Sequence, residues 1–239
     1  MRTSNPVLSR FEGVAEVGAQ AMTLNGTIWK SVFCVAVLFL GAFWSWRVIP
    51  AGASGAWLIG GSIGALVLAL ITSFNPKAAP ITTPIYAGVE GLLLGSISSF
   101  FDARYPGIAM QAVSYTAITA FIMLVAYRTG LIKPTAKFRS FVVIATLSIC
   151  AVYLIDLVLG MFGRGNPISA ATGMFGILFS AFVVGIAALN LILDFGFIEE
   201  GSQRGLPKYM EWYGAFALMV TLVWLYFEIL RLLSKLQRR

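Results

Sequence analysis

Long apolar runs, separated by short polar stretches rich in proline and glycine, make up most of this chain. An α-helix needs about 20 apolar residues to cross the hydrocarbon core of a bilayer. The runs have that length, and the breaks contain residues that end helices, such as Pro76 and Pro80. The pattern predicts seven transmembrane helices, at residues 29–48, 56–75, 81–101, 106–127, 140–162, 168–195 and 212–233.

The composition supports an integral membrane protein. Of the 239 residues 59% are hydrophobic and only 11% are charged, whereas a soluble domain carries about 25% charged residues. The net charge of +7 comes from cations at the ends of apolar runs, a placement that orients membrane proteins. We therefore expect a lipid bilayer as the surroundings of the chain, and no nucleic acid as a partner.

The N-terminal part of the chain differs from the rest. Residues 1–26 are mostly polar and lack the apolar core of a cleavable signal peptide. Within them, residues 6–22 have the spacing of a short amphipathic helix lying on the membrane, with a flexible tail as the alternative. We divide the chain into a cytoplasmic or interfacial segment, 1–26, and a seven-helix membrane domain, 27–239.

Lys and Arg residues are more frequent on the cytoplasmic side of membrane proteins. With the N-terminus inside, ten of them lie inside and three outside, so this orientation is favoured. The C-terminal tail, with four more, then lies outside and breaks the rule. Either the last segment is re-entrant, or charges late in the chain have little influence.

Two glycine pairs, Gly60/Gly64 and Gly91/Gly95, have the spacing of close helix contacts in lipid.

Four carboxylates lie within the predicted helices, where a charge is costly and usually faces the protein interior. Glu90 is near the middle of the third helix, and Asp156 is nearer the outer end of the fifth. Asp194 is near the inner end of the sixth, and Glu228 is in the seventh. Each has a structural alternative, since a carboxyl group can also bond to a neighbouring helix or line an interface.

Two polar neighbours accompany these carboxylates. Asn190 lies one turn before Asp194 on the same helix face and forms a polar stripe with it. Arg231 follows Glu228 by three residues, the spacing of a helical ion pair. We treat Asn190 and Arg231 as supporting residues.

The carboxylates are the candidates for ion and proton sensing. No Lys or Arg lies in the middle of a predicted helix, and the chain has no histidine, the usual switch at physiological pH. Two carboxylates close together share a proton and titrate as a pair. Carboxylates also bind Ca²⁺ and line cation pathways.

Enzymatic chemistry is not expected. Without histidine the chain has no His-based triad or His metal site, and "GASG" at 52–55 lacks the base that intramembrane serine proteases need. There is no P-loop and no CxxC motif, and Cys34 and Cys150 lie within apolar runs as small hydrophobic residues. We expect no cofactor other than Ca²⁺ as a transported or regulatory ion.

Five stretches together resemble the Bax-inhibitor-1/YccA-like family, in its bacterial branch. They are spread over nearly the whole chain: "SNPVLSRF" (4–11), "NPKAAPITTPIYAGVEGLLLGSISSFFDARYPGIAMQAV" (75–113), "RTGLIKPTAKFR" (128–139), "GIAALNLILDFGFIEEG" (185–201) and "KYMEWYGAFALMVTLVWLYFEILRLLSKL" (208–236). The resemblance implies an all-α fold in which six helices surround a central C-terminal helix. It also implies a pH-sensitive leak of Ca²⁺ or other cations across the bacterial inner membrane.

In this family a pair of aspartates on the last two helices forms the pH and Ca²⁺ sensor. Asp194 matches the first of them, and Glu228 is at the second position if the chain is aligned on "LYFE". Alignment on "LLSKL" instead places Trp224 there. Some relatives have a latching arginine in the second helix, and residues 56–75 contain none. The resemblance implies that Asp194 binds a proton or Ca²⁺ with Glu228 as its partner, or with Glu90.

The same resemblance supports an alternative from another functional class. Bacterial relatives are linked to a membrane-anchored, ATP-dependent quality-control protease of the FtsH type. The chain would then be a regulator or binding partner of that protease, with residues 1–26 as the interaction segment. An accessory subunit of a larger membrane complex is a third interpretation.

Overall fold

The computed structural model describes residues 21–48, 55–162 and 173–238 of the chain. These residues form seven α-helices, as the sequence predicts, with a 3₁₀ turn at Pro76–Ala78 before the third. Most of the N-terminal segment lies outside the described residues, but its end already belongs to the first helix, which begins five residues earlier than predicted. The helices are α1 (Leu24–Val48), α2 (Gly55–Phe74), α3 (Ala79–Arg104), α4 (Ile108–Arg128), α5 (Ala136–Met161), α6 (Gly173–Gln203) and α7 (Met210–Gln237).

Six of these helices have the length and apolar composition to cross a membrane, and α2 is the exception. The described apolar part of α2 is shorter and runs over Leu58–Phe74. The whole helix has 20 residues and therefore rises about 30 Å, which matches the hydrocarbon core of a bilayer. The chain is thus a multi-pass membrane protein, and the crossing by α2 stays a prediction.

The C-terminal helix α7 is the central element of the bundle. It packs directly against α1, α3, α4 and α6. The fifth helix, α5, reaches α7 through the side chain of Tyr153, and α2 packs against α3. The buried side chains of α7 include Met219, Val223 and Leu225, which lie in the main apolar core.

Close backbone contact joins α1 to α3, and glycine makes it possible. A Cβ atom at Gly91 would meet the backbone of Leu38, and one at Gly95 would meet the backbone of Ala42. Small residues allow such approach in lipid, where dispersion contacts rather than water exclusion hold helices together. The expectation for Gly91/Gly95 is therefore confirmed. That for Gly60/Gly64 is wrong, because both Cβ positions have open space among the described residues.

The helix ends define two faces of the bundle. The N-terminal face contains Leu24, Phe74, Ala79, Arg128, Ala136, Gln203 and Met210, and the opposite face contains the other helix ends. On the N-terminal face the backbone N–H of Met22 donates to the carbonyl of Leu206 at 2.6 Å. This contact places the start of α1 beside the loop between α6 and α7.

The helix α7 crosses from one face to the other without a break. Its 28 residues rise about 42 Å. At its end Lys235 donates to the carbonyl of Gly176, at the start of α6, at 3.1 Å. Arg238, just after the helix, hydrogen-bonds with Tyr105 in the α3–α4 loop. Desolvation acts to raise the pKa of Tyr105, but the hydrogen bonds and charges of Arg238 and Arg104 lower this pKa below its usual range. The last segment is therefore a full crossing and not re-entrant.

Candidate functional site

Asp194 lies on the side of α6 that faces α7. Its carboxyl group hydrogen-bonds with the side chain of Thr221 on α7. Its other oxygen, Oδ2, is buried and has no hydrogen-bond partner among the described residues. A buried polar atom without a partner costs about 1–3 kcal/mol, and more when it is charged. The position therefore favours a proton, a water molecule or a cation at Oδ2.

The depth of Asp194 in the bundle follows from helix geometry. The residue lies about 14 Å along α6 from the N-terminal face, and Thr221 lies about 17 Å along α7 from the same face. Both values are close to half of the hydrocarbon thickness of a bilayer. Asp194 is therefore deeper than the sequence pattern suggested.

Asn190 is engaged with a different helix. Its Nδ2 donates to Oγ1 of Thr146 on α5 at 2.8 Å and to the carbonyl of Ile186 at 2.9 Å. The amide therefore joins α6 to α5, one turn from Asp194 on the same helix.

Glu228 has partners of its own on the opposite side of the membrane centre. It is 2% exposed and accepts a hydrogen bond from the hydroxyl of Tyr153 at 2.7 Å. Nη1 of Arg231 forms a salt bridge with it at 3.3 Å and also donates to Tyr153 at 2.8 Å. The helical ion pair predicted from the sequence is thus confirmed.

The structure does not bring Asp194 and Glu228 together. Glu228 lies about 10 Å further along α7 than Thr221, the residue that contacts Asp194. Nor do three acidic or cysteine side chains converge anywhere in the described ranges. Ca²⁺ requires six to eight oxygen ligands, so the expected Asp194–Glu228 pair is not a preformed calcium site in this conformation.

Asp156 belongs to the half of the bundle that contains Glu228. It is 2% exposed and lies one turn after Tyr153 on α5. Lys235 on α7 is close enough to Glu228 and Arg231 to interact with both electrostatically, and it donates to Oγ of Ser180 at 2.9 Å. Charged side chains of α5 and α7 therefore gather near the opposite face.

Glu90 is half-buried near the middle of α3. It hydrogen-bonds with Tyr86, one turn earlier on the same helix. The ring of Tyr86 packs edge-on against Phe216 of α7, with 5.2 Å between the centroids. The partners of Glu90 are therefore separate from those of Asp194, and the four predicted carboxylates occupy three distinct places.

Another carboxylate, Glu211, was not singled out from the sequence. It is 0% exposed at the start of α7 and accepts hydrogen bonds from N and Oγ1 of Thr23, both at 2.8 Å. It also forms salt bridges with Lys30 of α1 and, at 3.0 Å, with Lys208. Only the Lys208 spacing was visible in the sequence, because Thr23 and Lys30 come from the far end of the chain.

Two further acidic residues hold the end of α6 at the N-terminal face. Glu199 accepts a hydrogen bond from the hydroxyl of Tyr127 on α4. Glu200 forms salt bridges with Arg204 and, at 3.0 Å, with Arg139 on α5. Together with Glu211, they place three hydrogen-bonded carboxylates at the N-terminal face.

A family model described as "Bax inhibitor 1 like" matches residues 5–238, nearly the whole chain. Among the curated proteins none matches.

Proposed function

Because the chain belongs to the Bax inhibitor 1 like family, we propose that it is a pH-sensitive cation leak channel, with Ca²⁺ as its principal ion. The observation that supports this most directly is the buried Oδ2 of Asp194, which has no partner in the described part of the chain. A carboxyl group in such a place can gain and lose a proton as the pH changes, and the chain has no histidine to do so.

The proposed mechanism is a change in hydration between α6 and α7. A protonated Asp194 is neutral and is compatible with dry packing against Thr221 and its apolar neighbours. An ionised Asp194 requires water or a cation at Oδ2, since an unpaired charge is strongly disfavoured in hydrocarbon. Titration of this group therefore shifts the α6–α7 interface between a dry and a hydrated arrangement.

Orientation and location are part of the proposal. The N-terminal face carries more Lys and Arg than the opposite face in the described residues, and these include Lys30, Arg128 and Arg139. By the positive-inside rule this face is cytoplasmic. We place the protein in a bacterial inner membrane, where cations would reach Asp194 from the cytoplasmic side.

The test is Ca²⁺ flux into proteoliposomes at about pH 6 and pH 8. Wild-type flux should differ between the two pH values. Asp194→Asn is an uncharged isostere of the protonated form, so its flux should equal the low-pH value of the wild type at both pH values. Asp102→Asn is the matched control, because Asp102 caps a surface turn through the N–H of Gly107 at 2.9 Å.

Absence of flux above that of empty liposomes at either pH would overturn the leak channel. The regulatory interpretation would then be the next to test, through proteins that bind residues 1–26. That segment is the expected contact for a membrane-anchored protease or a larger complex. Residues 1–20 lie outside the described residues, so no structural observation favours this alternative.

A further inference from the structure

Three adjoining cavities form a groove along the bundle between α1 and α4. Their volumes are about 690, 220 and 470 Å³, counted from the N-terminal face. Val35 lines both the first and the second cavity, and Leu94 and Val113 line both the second and the third. Since α7 packs against both α1 and α4 and contributes Met219 and Leu222 to the lining, it forms the floor of the groove.

The walls of the groove are apolar in its middle and become polar only at the ends. The second cavity is lined by aliphatic and aromatic side chains together with Thr116. The hydroxyl of Thr116 donates to the carbonyl of Ala112 in its own helix, so it presents no free donor to the groove. Such a surface suits a hydrocarbon chain.

A basic mouth lies at the N-terminal face. A fourth cavity of about 340 Å³ shares Tyr127, Arg128 and Glu199 with the first and adds Lys133. Arg128 and Lys133 are exposed, and neither forms a salt bridge among the described residues. Glu199 is engaged by the hydroxyl of Tyr127 and by Nε2 of Gln203 at 3.3 Å, so its charge is partly satisfied.

We propose that this groove binds one anionic phospholipid from the leaflet at the N-terminal face. One of its two acyl chains lies between α1 and α4, and its phosphate lies between Arg128 and Lys133. Basic pockets between transmembrane helices bind anionic headgroups through this combination of charge and apolar surface. The narrow middle cavity of about 220 Å³ fits a single acyl chain better than a partner helix, which is about 10–12 Å across.

The experiment uses the full chain in lipid nanodiscs with a photoactivatable phosphatidylglycerol that carries a diazirine in its acyl chain. After illumination, mass spectrometry locates the labelled residues. Labels should concentrate on groove residues such as Val32, Val35 and Leu124. A phosphatidylcholine probe with the same acyl chain should label them much less, because its headgroup has no net charge.

Two pairs of variants separate the headgroup from the acyl chain. Arg128→Gln with Lys133→Gln should lower phosphatidylglycerol labelling about 30-fold. Lys77→Gln with Lys137→Gln removes the same charge from the same face, outside the groove, and should leave labelling unchanged. Val32→Trp should displace the labels from the groove, whereas Ile118→Trp, on the part of α4 outside it, should not.

Three results would overturn the proposal. One is equal labelling by the two probes, and another is unchanged labelling in the Arg128/Lys133 variant. The third is occupation of the groove by another group, either residues 1–20 of this chain or a copurifying membrane helix, detected as protein crosslinks to Val32 or Leu124. Before labelling is compared, each variant must elute from size-exclusion chromatography as a single species at the same volume as the wild type.

Discussion

The carboxyl group of Asp194 on α6 hydrogen-bonds with the side chain of Thr221 on α7, and its buried Oδ2 has no hydrogen-bond partner in the described chain. One hydroxyl is therefore the direct polar link between the proposed sensor and the central helix. A hydroxyl that donates to a carboxylate favours the ionised form. The strength of this link should determine where the sensor titrates.

Replacement of Thr221 by Val should move the midpoint of the flux–pH curve to higher pH. The variant keeps the volume of the side chain but removes the donor, so the ionised form of Asp194 loses its stabilising contact. Thr221→Ser retains the hydroxyl and should behave like the wild type. The measurement is Ca²⁺ flux over a series of pH values, and identical midpoints for Val and wild type would contradict the prediction.

Replacement of Glu228 by Gln should lower stability without abolishing the pH dependence of flux. The change leaves Arg231 without its counterion and weakens the Tyr153 hydrogen bond. We expect the free energy of unfolding to fall by about 1–3 kcal/mol as a result. Thermal unfolding in detergent, followed by circular dichroism, measures this loss. Tyr153→Phe removes only one hydroxyl and should cost less. A Glu228→Gln protein with pH-independent flux would instead make Glu228 part of the sensor.

Replacement of Glu211 by Gln should loosen the contact between α1 and α7. Glu211 is fully buried and faces Lys30, Lys208 and Thr23, so loss of its charge leaves two cations uncompensated. We expect the free energy of unfolding to fall by about 1–3 kcal/mol, and amide hydrogen exchange at the start of α1 to become faster. Glu200→Gln, in an exposed ion pair on the same face, should change both quantities much less. Equal effects of the two variants would show that burial of Glu211 is unimportant.

Replacement of Gly91 by Ala should destabilise the bundle, because the added Cβ meets the backbone of Leu38. Overpacking of this kind costs about 1–3 kcal/mol. Gly60→Ala is the control: its Cβ has open space among the described residues, and Ala is the better helix former by about 0.5–1 kcal/mol. The midpoint temperature of thermal unfolding should therefore fall for Gly91→Ala and rise for Gly60→Ala. An unchanged midpoint for Gly91→Ala would contradict the close contact between Gly91 and the backbone of Leu38.

The helices were predictable because each apolar run has the length of a membrane crossing, but the partners of the charged residues were not. The Glu228–Arg231 pair is visible as a three-residue spacing, whereas Tyr153, which binds both, comes from another helix. Asp194 could be recognised from its apolar surroundings, although Thr221 could not. Hydrophobic periodicity identifies the buried side of a helix and not the neighbouring helix that it contacts.

Two partners of Glu211, Thr23 and Lys30, were likewise not predictable from the sequence, because they come from the far end of the chain. Their distance from Glu211 along the chain has a consequence for biosynthesis. Thr23 and Glu211 are 188 residues apart, and the bond between them joins the first helix to the last. At about 5–20 residues per second, the ribosome needs roughly 10–40 s to synthesise the intervening chain. During that time Lys30 is already at the membrane surface, and its buried partner has not yet been made. The start of α1 can reach its final position only after α7 emerges, so assembly of the bundle is completed by its central helix.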